Sequence, residues 1–355
     1  MNREMLELYS DYLLSSFGHT TATGLSAVTA GGVSHDQVTR FLAQDEFDAK
    51  TLWQLVKPLV RELESGNGVL ILDDTIQEKR YTDESELVCW HFDHSQGRSV
   101  KGVNLVNLLY EVDGVRVPVG YRSVDKTLKV WDEKRGKWQP KSPTSKNEHA
   151  RDMLRACADQ VLKFRYVLAD SWYASVETMK TVHEELKKNF VMPVKANRKV
   201  ALSRAHKQQA DYHSVCSLEL EENTVTKVYV EQLAFPLLLA KQVFINEDGS
   251  QGVLYLVTDD LTLDYAALTT LYQRRWSVET FHKSLKSHAA LAKSPTKTMR
   301  TQKNHIFCAV YAFVKLERLS LKSNTNHFAL RSQIYLKALQ AAFHELRALQ
   351  LATAA

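Results

Sequence analysis

The spacing of apolar and polar positions changes several times along the chain, and each change predicts a different kind of element. From the start to about Gly66 apolar residues recur at helical intervals. Ser34-His-Asp-Gln37 has the form of a capping box ahead of Val38, Phe41 and Leu42, and residues 52–63 are a second periodic run. After Gly66-Asn67-Gly68 the pattern becomes Val69-Leu-Ile-Leu72, a short buried-strand run that ends in Asp73-Asp74-Thr75. Residues 103–112 and 115–119 read as strands joined by Asp113-Gly114, a pair suited to a two-residue hairpin turn. The charged stretch 126–146, with Trp131, Trp138, Pro140 and Pro143, reads as an exposed loop. A helix is predicted over 148–162, and Tyr166-Val-Leu-Ala169 is a second buried-strand run, this one ending in Asp170-Ser171. A helical stretch over 176–186 and an apolar run over 190–194 follow.

Between residues 195 and 264 the helical signal fades, and 225–230, 237–245 and 253–258 read as strands. From Asn304 helical periodicity returns through Phe307, Val310, Val314 and Leu319, then over 328–351. The expected fold class is mixed α/β: a mixed sheet flanked by helices, with a β-rich insertion and helical N- and C-terminal parts. The corresponding division is an N-terminal helical module over 1–66, a core of 67–195 with 265–303, the insertion 196–264 and the C-terminal region 304–355. The N-terminal helices, joined by a turn over 43–48, suit either a DNA groove or a packing module.

Within LYQRRWSVETFHKSLK, Tyr272, Arg275, Glu279 and Lys286 stand three, four and seven residues apart. On a continuous helix those offsets put all four on one stripe. Leu271, Val278, Phe281 and Leu285 fall on a neighbouring arc suited to a core. A carboxylate set between an arginine and a lysine stays ionised.

At 355 residues the chain is long for a single domain, and its formal charge of +5 is mild. The charge is unevenly spread. From Thr280 through Lys315 there is no Asp or Glu, while Lys283, Lys286, Lys293, Lys297, Arg300, Lys303 and Lys315 all occur. Such a surface beside a site suggests a phosphate-rich partner. Cys89, Cys157, Cys216 and Cys308 are scattered with no metal-site or disulfide spacing, which fits a reducing cytosol. No apolar run reaches membrane-spanning length, and the acidic, amphipathic start is unlike a secretory signal, so a cytoplasmic protein is expected.

Carboxylates from two strand ends and a helix suit a hard cation with oxygen ligands, and magnesium fits that description. Two such ions, about 3.5 to 4 Å apart, suit an in-line phosphoryl transfer. Adjacent strand residues point to opposite faces, so one of Asp73 and Asp74 is expected at such a site, and physics alone leaves the choice open. His91, Asp93 and His94 lack an evident further ligand for a transition metal. Trp276 lies off the polar stripe and is expected to pack in the core.

The chain resembles the DDE transposases of bacterial insertion sequences, in the branch marked by Y-x2-R-x3-E-x6-K. LILDDT resembles the first-aspartate block, CWHFDHSQGRSVKGVNLV the strand pair after it, VLADSWYAS the second-aspartate block and YQRRWSVETFHKSLK the glutamate block. The resemblance implies a ribonuclease-H-like core and makes Asp74, Asp170 and Glu279 the catalytic, metal-binding triad, since the family's aspartate stands just before the Thr. It implies two Mg2+ ions, with Mn2+ as a substitute. Tyr272, Arg275 and Lys286 are expected to contact DNA phosphates, with Arg98 and Lys101 as further candidates and Lys283, Lys293, Lys297, Arg300 and Lys303 as the adjoining basic surface.

The implied partners are double-stranded DNA, as terminal inverted repeats and target, and a second copy in a homodimer on that DNA; the implied location is the bacterial nucleoid. A non-cleaving DNA-binding descendant and a nuclease that cuts without joining are the competing readings. Some members hold a flipped base on a tryptophan of the insertion. This insertion has none, and Tyr212, Tyr229, Phe235 and Phe244 are its candidate aromatics.

Overall fold

The computed structural model describes residues 2–44, 46–94, 96–245 and 249–354. Helices α1 (Arg3–Ser15), α2 (Ala22–Val28), α3 (His35–Ala43) and α4 (Ala49–Leu63) come first. Strands β1 (Val69–Glu78), β2 (Cys89–Asp93), β3 (Arg98–Val112), β4 (Val115–Ser123), β5 (Leu128–Asp132) and β6 (Lys137–Lys141) lead to α5 (Lys146–Asp159). Then come β7 (Tyr166–Ala169), α6 (Val176–Lys180), β8 (Asn189–Val194), β9 (Lys199–Val200), α7 (Arg204–Gln208), β10 (His213–Ser214), β11 (Thr226–Val228), β12 (Leu237–Ile245) and β13 (Gln251–Thr258). Helices α8 (Tyr265–Gln273), α9 (Ser277–Ser287), α10 (Met299–Ser323) and α11 (His327–Ala354) close the chain. None of the described helices is long and apolar enough to cross a membrane.

The chain divides into two compact units. The unit of Pro58–Thr75 and Asn104–Glu279 contains most of a mixed sheet, in the order β11-β12-β13-β8-β7-β1-β3 with β4 paired to β3. Val69–Leu72 runs parallel to Tyr166–Ala169, and β7 runs parallel to β8. The β8, β13, β12 and β11 pairs are antiparallel. The central runs VLIL, YVLA and FVM are continuously apolar because they are buried on both faces, and all but Tyr166 are at most 1 % exposed. Helix α5 covers β4, where Gly120 leaves room for Met153, and α8 packs on β8 and β13. This is a mixed α/β fold, a large mixed sheet flanked by helices, compatible with a ribonuclease-H-like core.

The expected β3–β4 hairpin forms, and Asp113 and Gly114 both take positive φ (50° and 80°), which matches the twist of the flanking strands. The strands read over 225–230, 237–245 and 253–258 extend the main sheet as β11, β12 and β13. Two expectations are corrected. The apolar run ends at Asp73-Asp74 but the strand does not: β1 continues to Glu78, because a strand needs only its backbone ladder and β3 supplies a partner where β7 stops. The stretch 126–146 is not all loop. It holds the two-stranded β5–β6 ribbon, with Trp131 opposite Trp138, a pairing that a loop signal built on charge and proline conceals.

The other unit comprises Met1–Lys57, Ile76–Val103 and Thr280–Ala355. The capping box at Ser34 forms as read, with the Gln37 N–H donated to Ser34 Oγ and the Ser34 N–H to Gln37 Oε1. Helix α10 is its axis. Asn304, fully buried, donates to the Leu42 carbonyl at 3.0 Å and accepts the Phe47 N–H at 3.0 Å. Tyr9 Oη lies 3.0 Å from His305 Nδ1, so α1 and the turn after α3 are fixed to α10 by buried polar contacts. In the same unit Gly102 of β3 crosses against the Gln77 backbone, and a Cβ there would collide with the Gln77 carbonyl. A backbone carbonyl in a ladder cannot step aside as a side chain can. Gly102→Ala should therefore lose about 1–3 kcal/mol of stability, read in urea as a lower midpoint at unchanged slope.

Candidate active site

The geometry starts from one register. The last parallel pair of β1 and β7 is Leu72 with Ala169, so Asp73, within β1, and Asp170, just past the end of β7, follow that pair at the same level, where strand spacing is about 4.8 Å. Burial and the Asp170 charge push the Asp73 carboxyl up to about 7, against the pull of Arg275 and of the Asp74 N–H. Burial raises Asp170 as well, and the Asp74 charge adds to it; the N–H groups of Trp172 and Tyr173, at 2.9 and 3.4 Å from Asp170 Oδ1, oppose the rise.

The adjacent aspartates have different surroundings. Arg275 Nη1 lies 3.0 Å from Asp73 Oδ2, both side chains being 12 % exposed. Asp74 instead receives Lys146 Nζ at 2.6 Å and Asn104 Nδ2 at 3.0 Å on one oxygen, and the Tyr173 hydroxyl at 2.9 Å on the other. Burial and these carboxylates hold the Tyr173 hydroxyl protonated, its pKa well above the usual phenol value.

Helix α8 ends at Gln273, a 3-10 turn covers Arg274–Trp276, and α9 begins at Ser277. The expected single helical stripe is thus broken in the middle. A 3-10 turn has three residues per turn instead of 3.6, and Arg274 anchors it with 2.6 Å to Glu111 Oε2 and 2.9 Å to the Asn67 carbonyl. The break separates the stripe's environments. Tyr272 is buried, its hydroxyl pushed up to about 12 by burial, while the Glu279 side chain is 49 % exposed and 3.7 Å from Arg275 Nη1. Arg275 thereby bridges Asp73 and Glu279. Its buried Nε has no acceptor among the described residues. Of the apolar arc, Val278, Phe281 and Leu285 are fully buried, while Leu271, on the far side of the break, is half-buried.

Lys286 is half-buried further along α9. Lys283, Lys297 and Arg300 are exposed. Lys293 donates to the Phe17 carbonyl at 3.2 Å, and Lys303 pairs with Glu46 at 3.2 Å. The basic window is therefore partly neutralised by acids far away in sequence, as Lys315 also shows with Glu7 at 2.9 Å and Asp11 at 2.6 Å. Arg98 reaches Glu78 at 3.5 Å, and Lys101 is half-buried. His91 is buried with Nε2 3.2 Å from Cys89 Sγ.

Sequence reasoning missed Lys146, Asn104 and Tyr173, the three partners of Asp74. A signal existed for the first: Ser145 and Glu148 form a capping box, which fixes Lys146 in the first turn of α5. Trp276 does not pack in the core. It is 62 % exposed, with the Arg275 guanidinium 5.5 Å from its ring, because the 3-10 turn rotates it outward. Of the insertion's aromatics, Phe235 is buried and stacks on His183 at 3.7 Å between centroids.

Among the described residues no three carboxylate, histidine or cysteine side chains stand together as a ready metal cage. The donor chemistry nevertheless suits a hard cation, since Asp73, Asp74 and Asp170 offer only oxygen, and Asp73 and Asp170 are raised by burial first and then by a neighbouring carboxylate, Asp170 for the former and Asp74 for the latter. A family model described as DDE superfamily endonuclease matches residues 1–215, and one described as transposase DDE domain matches residues 141–313. The chain belongs to the DDE superfamily endonucleases. No curated protein matches it. As a DDE endonuclease or transposase it acts on DNA, and the superfamily normally uses divalent metal ions. The two matched spans cover Asp73, Asp74, Asp170, Arg275 and Glu279 between them.

The raised Asp73 has a measurable consequence. Folded, it keeps its proton up to about pH 7; unfolded, only below about 4. Between those values the native state holds more protons, so stability falls as pH rises through the window. Asp73→Asn should lose this slope, and its melting temperature relative to the parent should rise from pH 4 to pH 8. Parallel melting profiles across that range would refute the assignment.

Proposed function

We propose that this DDE enzyme is a transposase of the insertion-sequence type that binds the terminal inverted repeats of its element, cuts there and joins the 3′ ends to target DNA. The observation that carries the reading is Arg275 set between Asp73 and Glu279, beside the carboxylate that follows the end of β7, Asp170. A guanidinium with a buried, unpartnered Nε among anions is suited to a phosphate, which supplies the missing acceptor.

In this reading Asp74, Asp170 and Glu279 hold two Mg2+ ions, for which Mn2+ can substitute. When bound, these ions supply Lewis-acid stabilisation of the attacking and leaving oxygens. The chain's own residues do the positioning. Lys146, Asn104 and Tyr173 fix both oxygens of Asp74, which removes its rotational freedom before any substrate arrives. Asp73 holds the Arg275 guanidinium at 3.0 Å, and Tyr272 supports it with its ring 5.7 Å away. Lys283, Lys286, Lys293, Lys297, Arg300 and Lys303, with Arg98 and Lys101, are proposed to carry the DNA backbone, those with protein partners exchanging them for phosphates. Two ends must be brought together for joining, so a homodimer on DNA is part of the proposal, and the cytoplasm at the nucleoid is the corresponding location.

A second reading of the first ligand follows from the register: Asp73, not Asp74, is level with Asp170. The deciding experiment is magnesium-dependent cleavage of a plasmid carrying the element's end sequences. Asp74→Asn, Asp170→Asn and Glu279→Gln should each lower cleavage by at least about a hundredfold, the upper range for loss of mere second-layer partners, while end binding survives. Asp73→Asn should keep cleavage within about tenfold. The reverse result for the two neighbours would make Asp73 the ligand, and full activity of Asp170→Asn would overturn the transposase reading.

Arg275→Ala should weaken end binding and leave Asp73 and Glu279 without their shared cation. The expected outcome is a larger loss in binding affinity than Glu279→Gln causes, measured by equilibrium titration with labelled end duplex.

A further inference from the structure

The β5–β6 ribbon contributes nothing to the core. No residue from 125 to 149 is buried, although the strands carry Leu128, Val130, Trp131 and Trp138, which are 46, 42, 49 and 64 % exposed. An isolated two-stranded hairpin is marginally stable in water, and here the edge-on pair of Trp131 and Trp138, 5.6 Å between centroids, stiffens it. From Lys126 to Lys141 there are six basic residues and two acidic ones, a surplus of four positive charges. Asp132 is turned into the hairpin bend, accepting the Lys134 and Arg135 N–H groups at 3.1 and 3.2 Å. Among the described residues Lys129, Lys137 and Lys141 form no ion pair.

Register and alternation put Lys129, Trp131, Trp138 and Pro140 on one face and Val130, Gln139, Lys137 and Lys141 on the other. Aromatics interleaved with lysines on an exposed ribbon complement a polyanion with apolar sugar and base edges. A two-stranded ribbon also has the width that a major groove admits. Its place in the chain ties it to the site: Lys141 is five residues from Lys146, a span of at most roughly 17 Å, and Lys146 holds Asp74.

We propose that the β5–β6 ribbon is a DNA arm, lying along the duplex next to the phosphate that reacts at the carboxylates. The proposal rests on the DDE transposase reading and adds a grip on the duplex that the carboxylates and α9 do not provide.

The test is an anisotropy titration of the full chain with a fluorescein-labelled duplex over a series of salt concentrations. The combined Lys129→Ala, Lys137→Ala, Lys141→Ala variant should flatten the slope of log affinity against log salt by about 2 to 3, since each phosphate that a lysine no longer neutralises removes roughly 0.9 from it. Trp131→Ala with Trp138→Ala should weaken binding about tenfold at every salt concentration with the slope kept. Replacing residues 127–142 by a short Gly-Ser linker, checked for cooperative melting, should reproduce both losses and guards against local misfolding. Unchanged slope and affinity in the folded variants overturn the arm. So does a change in oligomeric mass with DNA affinity intact, which would mark a protein-docking surface. If the parent chain binds no duplex at all, the transposase reading falls with it.

Discussion

The parallel pairing of β1 with β7 is the constraint on which the site depends. It stops at Leu72 and Ala169, and the next residue on each strand is an aspartate. Two carboxylates are thus delivered side by side at the end of an apolar ladder, where neither can withdraw without breaking a buried strand. Burial at that place, with the Asp170 charge adding to it, lifts Asp73 toward neutral pH.

Folding with such a cluster requires cations, and the unit supplies them from two directions. Arg275 reaches in from the turn between α8 and α9, while Lys146 reaches in from the capped start of α5. Each is held in turn by its own local device, the Glu111 anchor of Arg274 for the first and the Ser145–Glu148 box for the second. The arrangement is preorganised and still anion-rich, which is the electrostatic state expected of a site that gains from metal and phosphate. An apolar substitution at either cation would leave a buried charge uncompensated, a heavier loss than removal of both partners.

The same unit extends the β5–β6 ribbon outward from the neighbourhood of Lys146. A buried charged centre and an exposed basic ribbon have opposite physical demands, one for fixed dipoles and the other for accessible cations. They are served by segments only a few residues apart.

Much of the fold was determined by the sequence alone. Continuous apolar runs such as VLIL and YVLA can only be buried strands between layers, Asp113-Gly114 can turn a hairpin at positive φ, and Ser34 and Ser145 each precede a residue that completes a capping box. These are local signals, and local chemistry suffices to read them. The aspartates after the two runs and the stripe from Tyr272 to Lys286 were legible for the same reason. What only the tertiary structure decided is everything that depends on residues distant in sequence. Whether Asp73 or Asp74 meets Arg275, that Lys146, Asn104 and Tyr173 converge on Asp74, and that Glu46, Glu7 and Asp11 neutralise lysines in an apparently acid-free window are all matters of long-range register. The break that turns Trp276 outward depends on Glu111, more than 160 residues away in the chain. Periodicity records which face a residue occupies on its own element; which groups stand opposite it is set by how the elements pack.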